Sequence, residues 1–219
     1  MATPRWPAGE SEQTALAQEK ETGRVEAFSD GVFAIAITLL ILELKVPKGP
    51  PGTLLANLVA QWPTYLSYLT SFVTILVMWV NHHQMFNLIR RTNVAFLFLN
   101  GLLLLFITVV PFPTALVSDH FLGPDSKTAA AVFGGTYFGI AIAFNAVWRY
   151  ASGGLRLIDP RVDVRSVEAI TRAYRVGPAA YFTTFILAFV WVPASLGLNL
   201  ALAVFFAVTA SIRNPTPLS

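Results

Sequence analysis

The chain has 219 residues, of which 55% are hydrophobic and only 12% charged, with a mean hydropathy of +0.60. Water-soluble domains carry about 25% charged residues, so this composition excludes an ordinary soluble domain and points to bilayer as the surrounding solvent. Cysteine is absent, which removes disulfides, thiol nucleophiles and thiolate metal sites. A net charge of +3 and a pI near 9.4 raise nucleic acid as a partner, but the placement of the basic residues explains them better.

Residues 1–22, beginning "MATPRWPAGESEQTALAQEK", are polar and lack the apolar middle of a signal peptide. They read as a disordered cytoplasmic tail. A helix that crosses the hydrocarbon core needs about 20 mainly apolar residues, and six segments qualify. The first is Val25–Val46, closed by Pro47 and "PKGPPG". The second runs from about Pro63 to Val80, with Trp62 and Trp79 at interfacial positions. The third is Asn93 to about Ala115, ended by the prolines of "VVPFPT". The fourth spans about Ala129–Tyr150, followed by "ASGG". The last two, Val176–Val192 and Ser195–Ile212, meet at a tight "PAS" turn. The fold class expected is therefore an all-α integral membrane protein with a six-helix transmembrane domain over 23–213 and a short C-terminal tail, 214–219.

Positive charge orients the bundle. Twelve of the fifteen basic residues fall on the side of the N-terminus, leaving Lys45, Lys48 and Lys127 on the other. By the positive-inside rule both termini are expected to be cytoplasmic; the expected location is the cell (plasma) membrane. The basic pI is then topological, and no nucleic-acid partner is expected. The longest inner loop runs from Arg149 to Arg175, and its "VRSVEAITRAYR" has the spacing of a helix lying on the membrane surface.

The first helix carries the chemistry. At 100° per residue, Arg24, Phe28, Gly31, Ile35, Thr38, Leu39 and Leu42 form one stripe, whereas Asp30 falls on the far side with Ala34, Ile37 and Ile41. An ionisable residue at such a depth faces the bundle and has a partner; Arg24, His82 and His83 are the candidates. Asp30 reads as solvated at headgroup level, as part of a polar network tying helix one to helix two, or as a proton relay with His82 or His83. Adjacent histidines point about 100° apart and cannot share a metal as an i, i+4 pair can, so no fixed metal site is expected. Thr38 either bonds back to the Ala34 carbonyl or supplies one hydroxyl to an apolar stripe.

"RVEAFSD" (pattern R-x-x-x-F-S-D), "WVNHHQMFNLIRRTN" and "LNGLLLLFITVVPFPT" resemble the transmembrane-protein-175 family of potassium channels over residues 24–115. The resemblance implies a single-repeat, prokaryotic-type subunit that assembles as a homotetramer in membrane lipid, with helix one lining a central pore. It places the constriction on Ile35, Thr38 and Leu42, with Leu39 on the same stripe; the supporting polar network read from the residues comprises Arg24, Phe28, Ser29, Asp30, His82 and His83. It implies monovalent cations as permeants, potassium foremost and passing near Thr38, no cofactor and no catalytic residue. The family lacks a carbonyl-lined filter, and this chain has no "TVGYG". A secondary ion transporter, or a proton-coupled protein using Asp30 with His82 or His83, is the competing reading; the prolines at segment ends, Pro178 among them, and the lack of an internal repeat speak against a transporter.

Because the chain has no native cysteine, single cysteines placed at Ser11 and Ser126 should react with an impermeant thiol reagent from opposite sides of the membrane. Reaction of both from one side would overturn the orientation drawn from basic residues.

Overall fold

The computed structural model describes residues 8–212; the C-terminal tail assigned to 214–219 and residues 1–7 lie outside the described residues. Eight α-helices account for nearly all of the rest. Helix α1 (Ala8–Leu39) tightens into a 3₁₀ turn at Leu40–Glu43. After an irregular segment come the short α2 (Leu54–Ala60) and the long α3 (Trp62–Phe86). Then follow α4 (Val94–Val109), α5 (Pro111–His120), α6 (Ser126–Ser152), α7 (Val164–Val190) and α8 (Val192–Ile212). Helices α4 and α5 act as one interrupted span, so six stretches are long and apolar enough to cross a membrane. The six-span, all-α expectation holds.

Helix α6 is the hub. It packs on α4, α5, α7 and α8 and buries half of its most apolar window, against about a fifth for the first and last spans. Its approach to α7 depends on Gly134, where an added Cβ would lie 3.0 Å from the Phe185 Cα; small residues at such crossings let backbones meet, which is the main packing force between helices in lipid. Tyr137, Phe133 and Trp148 fill the centre with at most 1% of their surface exposed.

Three expectations give way. Residues 8–22, expected as part of a disordered tail, belong to α1. Between Gly9 and Gly23 the chain has neither glycine nor proline and is rich in Glu, Ala and Gln, all strong helix formers; net polarity concealed that propensity. The helix is also anchored, since the buried Thr22 donates through Oγ1 to the Arg90 carbonyl at 3.1 Å. Next, "VRSVEAITRAYR" is no separate surface helix. It is the first half of α7 and runs unbroken into the fifth span.

Finally, the prolines do not all sit at helix ends. Pro178 lies inside α7, where its missing N–H leaves the carbonyl four residues back without its helical donor. That carbonyl belongs to Tyr174, and the Asn145 side-chain amide of α6 donates to it. The Tyr174 hydroxyl in turn donates to the Asn81 carbonyl on α3. Proline is tolerated in a spanning helix when a neighbour re-satisfies the freed group, and here the neighbour can be named. Pro111 and Pro113 do not end the third span either; the Val110 N–H donates to the Ile107 carbonyl at 3.2 Å and the chain resumes as α5, with Thr114 bonded back to Val110 and across to Ser71 on α3 at 2.7 Å.

At the end of the bundle that holds the α1 N-terminal half, two loops close on each other. Ile89 and Ile158 form an isolated antiparallel bridge, flanked by Arg90 N–H to Leu157 O at 3.0 Å and Asp159 N–H to Leu88 O at 2.9 Å. Asp159 also accepts from Arg161 at 2.7 Å and lies 3.9 Å from Arg90. Hydrogen bonds from the Arg161 guanidinium and backbone N–H hold the Asp159 carboxyl down at about 2. This clamp is thus fully charged above the ordinary carboxyl range and weakens only as pH falls toward 2.

Asn145→Leu should destabilise the detergent-solubilised protein by about 1–3 kcal/mol, because it orphans the Tyr174 carbonyl. In a Pro178→Ala background, where the helix supplies its own N–H, the same substitution should cost much less. Equal costs in both backgrounds, measured by denaturant titration, would show that Asn145 does not answer for the proline.

Candidate functional site: a clasped first helix with one bare face

Helix α1 presents two unlike sides. Thr22, Ser29, Phe33, Ala36 and Leu40 are buried, a spacing of three to seven residues that keeps one face against α3 and α4. On the other side Phe28, Ile35, Leu39 and Leu42 expose 68%, 59%, 42% and 66% of their surface, and Arg24, Gly31 and Thr38 are exposed with them. Every member of the stripe read from the sequence is therefore on the bare side. A Cβ at Gly31 would meet nothing within 4 Å, so no packing inside the chain requires a glycine there.

The buried side is held by a chain of polar contacts. Ser29 Oγ donates to the Val25 carbonyl at 2.8 Å and accepts from Asn100 Nδ2 at 3.0 Å. Asn100 Oδ1 then pairs with His82 Nε2 at 3.0 Å. Since the Asn100 amide nitrogen is spent on Ser29, its oxygen must accept, and the proton of His82 resides on Nε2. His82 Nδ1 is left buried with no partner among the described residues. The ring sits between aromatic neighbours, stacked on Phe86 at 4.5 Å and tilted against Phe33 at 5.2 Å.

Two further contacts join α1 to α3 as rungs of an antiparallel pair. Asp30 Oδ1 accepts from the Trp79 indole at 2.8 Å, and one turn away Glu26 Oε1 meets His83 Nδ1 at 2.8 Å. Positions 26 and 30 on one helix and 83 and 79 on the other are each four apart, the spacing of side chains stacked on one helix face. Trp79 and His83 also stack, with ring centroids 6.1 Å apart.

The six network residues divide accordingly. Ser29 and His82 join one chain, through Asn100. Asp30 pairs with Trp79 rather than with Arg24, His82 or His83. His83 takes Glu26. Arg24 makes no ion pair among the described residues, and Phe28 lies on the bare face. Asn100, Trp79 and Glu26 escaped the sequence reading. Asn100 had a usable signal, being the single polar side chain between Val94 and Ile107, where an amide must find a partner across helices. Trp79 read as an interfacial aromatic, and nothing in its own neighbourhood reveals that its N–H serves an acid 49 residues away. Thr38 Oγ1 does bond back along its helix, but to the Ile35 carbonyl at 2.9 Å, not to Ala34; the helix is already tightening toward its 3₁₀ end, where three-residue bonds replace four-residue ones. No cluster of three or more His, Cys, Asp or Glu side chains able to hold a metal occurs among the described residues.

A polytopic all-α membrane protein, with its first helix clasped on one face and bare on the other, is the class these features define. A family profile for the endosomal/lysosomal potassium channel TMEM175 matches residues 24–111. Over 197 residues, 89% of this chain and 97% of the other, the sequence is 49% identical to a potassium channel of Chamaesiphon minutus. Over 189 residues it is 47% identical to a potassium channel of Streptomyces collinus, spanning 85% of this chain and 91% of that one. The fold superposes on the crystal structure of a lysosomal potassium-selective channel TMEM175 homolog from Chamaesiphon minutus with a TM-score of 0.80 at 48% identity, covering 87% of this chain and 98% of that one. The human endosomal/lysosomal proton channel TMEM175 is 41% identical over 138 residues, 58% of this chain but 27% of its own length. The chain belongs to the TMEM175 family.

Asn100→Leu breaks the buried chain at its middle and leaves the His82 N–H unpaired. It should lower stability in detergent by about 1–3 kcal/mol. His83→Gln, at a half-exposed rung, should cost less than about 1 kcal/mol. Thermal unfolding of the two variants tests the ranking, and the reverse order would move the anchor of α1 from Asn100 to the His83 rung.

Proposed function

We propose that the chain is one subunit of a homotetrameric potassium channel of the cell membrane, with both termini cytoplasmic, residues 23–213 as its membrane domain and α1 lining a central pore. The observation that carries this reading is the bare stripe of Ile35, Thr38, Leu39 and Leu42 on a helix whose opposite face is fixed by buried polar contacts. Potassium-channel relatives that match nearly the whole chain support the choice of ion. The unneeded glycine at 31 fits a neighbouring copy of α1 packing close to that face.

In such an assembly four copies of Ile35, Thr38 and Leu42 make apolar, hydroxyl and apolar rings over about 10 Å of axis. Thr38 gives its proton to the Ile35 carbonyl, so its oxygen keeps lone pairs free for a cation. An ion sheds water at the apolar rings and recovers a partial ligand set at the hydroxyls. Potassium, holding its hydration shell less tightly than sodium, crosses more readily, and selectivity obtained by dehydration is moderate. The process is passage of an ion, with no bond made or broken.

The proton-coupled alternative needs Asp30 to exchange protons with His82 or His83. Asp30 instead faces an indole N–H, a group that donates a hydrogen bond and has no basic position to receive a proton. That contact favours the ion-channel reading over a relay from Asp30 to either histidine.

Thr38→Val keeps the side-chain shape and removes the hydroxyl. In planar bilayers it should shift the reversal potential under a sodium–potassium gradient toward lower potassium preference with assembly intact. Ile35→Asn and Leu42→Asn should wet the constriction and weaken discrimination further. If all three conduct with an unchanged reversal potential, α1 does not form the filter.

A further inference from the structure

The arginines at the loop-bridged end of the bundle are not spread evenly. Arg149, at the C-terminal end of α6, and Arg172 and Arg175, one turn apart on α7, converge on a single cleft of about 660 Å³ between the two helices. None of the three makes an ion pair among the described residues. The nearby acids are committed elsewhere: Asp159 holds Arg161 and Arg90, and Asp163 caps α7 by accepting from the Arg165 N–H. Glu168 lines the cleft as its one carboxylate, so positive charge prevails there. The positive-inside rule accounts for arginines on this side, but not for three unpaired guanidiniums meeting in one concavity.

Depth gives the cleft its meaning. From Thr128 to Trp148 α6 has no charged residue, a run of about 30 Å, the thickness of the hydrocarbon core. Arg149 follows it directly and so stands at the membrane boundary. Arg175 similarly precedes an uncharged run from Val176 to Val190. The two helices are locked at that level by the Trp148 indole donating to Thr171 Oγ1 at 2.9 Å. The cleft wall also carries Leu155 and Val164, exposed by 45% and 49%, an apolar margin that a freely soluble anion does not need.

We propose that this cleft binds the phosphate group of an anionic lipid headgroup, with Arg149, Arg172 and Arg175 as its ligands. Guanidinium forks match phosphate oxygens in pairs, and basic pockets between spanning helices at the membrane surface suit this chemistry. The site is independent of the pore, and its test does not read conduction.

The experiment uses the full chain in nanodiscs of phosphatidylcholine with or without phosphatidic acid, counting retained phosphatidate by native mass spectrometry. Wild type should retain it. Arg172→Gln/Arg175→Gln should lose on the order of tenfold in affinity, whereas Arg156→Gln/Arg165→Gln, an equal charge loss outside the cleft, should stay within about twofold. Glu168→Gln should strengthen retention. Equal losses in the two double variants, or none in the first, would reduce the cleft to diffuse charge and overturn the proposal. In a parallel arm, inorganic phosphate is titrated onto protein in pure phosphatidylcholine. Arginine-dependent phosphate binding without phosphatidate retention would assign the cleft to a soluble anion and overturn the lipid.

Discussion

The rotation of α1 about its own axis is the constraint on which the rest of the molecule depends. In lipid, hydrophobicity does not choose which face of an apolar helix turns inward, because side chains and acyl tails are equally apolar. The choice falls to polar groups that cannot be left unpaired. Ser29 bound to Asn100, and Asn100 to His82, supplies it deep in the bundle; Asp30 with Trp79 and Glu26 with His83 supply it along α3. Once those contacts form, Ile35, Thr38, Leu39 and Leu42 have no position left but the outer one.

The same need for satisfaction explains how irregular backbone survives inside the bundle. Asn145 answers the carbonyl freed by Pro178, and side-chain hydroxyls tie the other irregular stretches to neighbouring helices: Thr114 with Ser71 beside Pro111 and Pro113, and Ser195 Oγ donating to the Thr184 carbonyl at 2.7 Å across the final hairpin. These bonds cross between helices. A substitution at one helix break therefore loosens a partner helix as well, and the bundle is coupled through its defects as much as through its packing.

Charge acts at the ends. At the end that holds the α1 N-terminal half, the loops between α3 and α4 and between α6 and α7 are joined by a backbone bridge and by Asp159 with two arginines. Thr22 ties the lower part of α1 to that same junction through the Arg90 carbonyl. The end that holds the arginines is thus braced, and Arg149, Arg172 and Arg175 of the α6–α7 cleft stand outside that brace.

The sequence by itself determined the number of spans, their class and the stripe of α1, because run length and the 3.6-residue period are local properties that the chain carries wherever it folds. Family membership was legible for a similar reason, in short stretches such as "RVEAFSD" whose residue order survives without reference to partners. Tertiary structure alone decided who bonds to whom. Asp30 could have met Arg24 or either histidine by position along the chain, and it met the indole of Trp79; His82 and His83, neighbours in sequence, went to different helices' side chains because adjacent residues on a helix diverge by about 100°. The continuity of α7 through Pro178 was likewise invisible, since the group that makes it tolerable sits on Asn145, in another helix. Local periodicity fixes which face exists; only the packed bundle fixes what each polar atom on that face can reach.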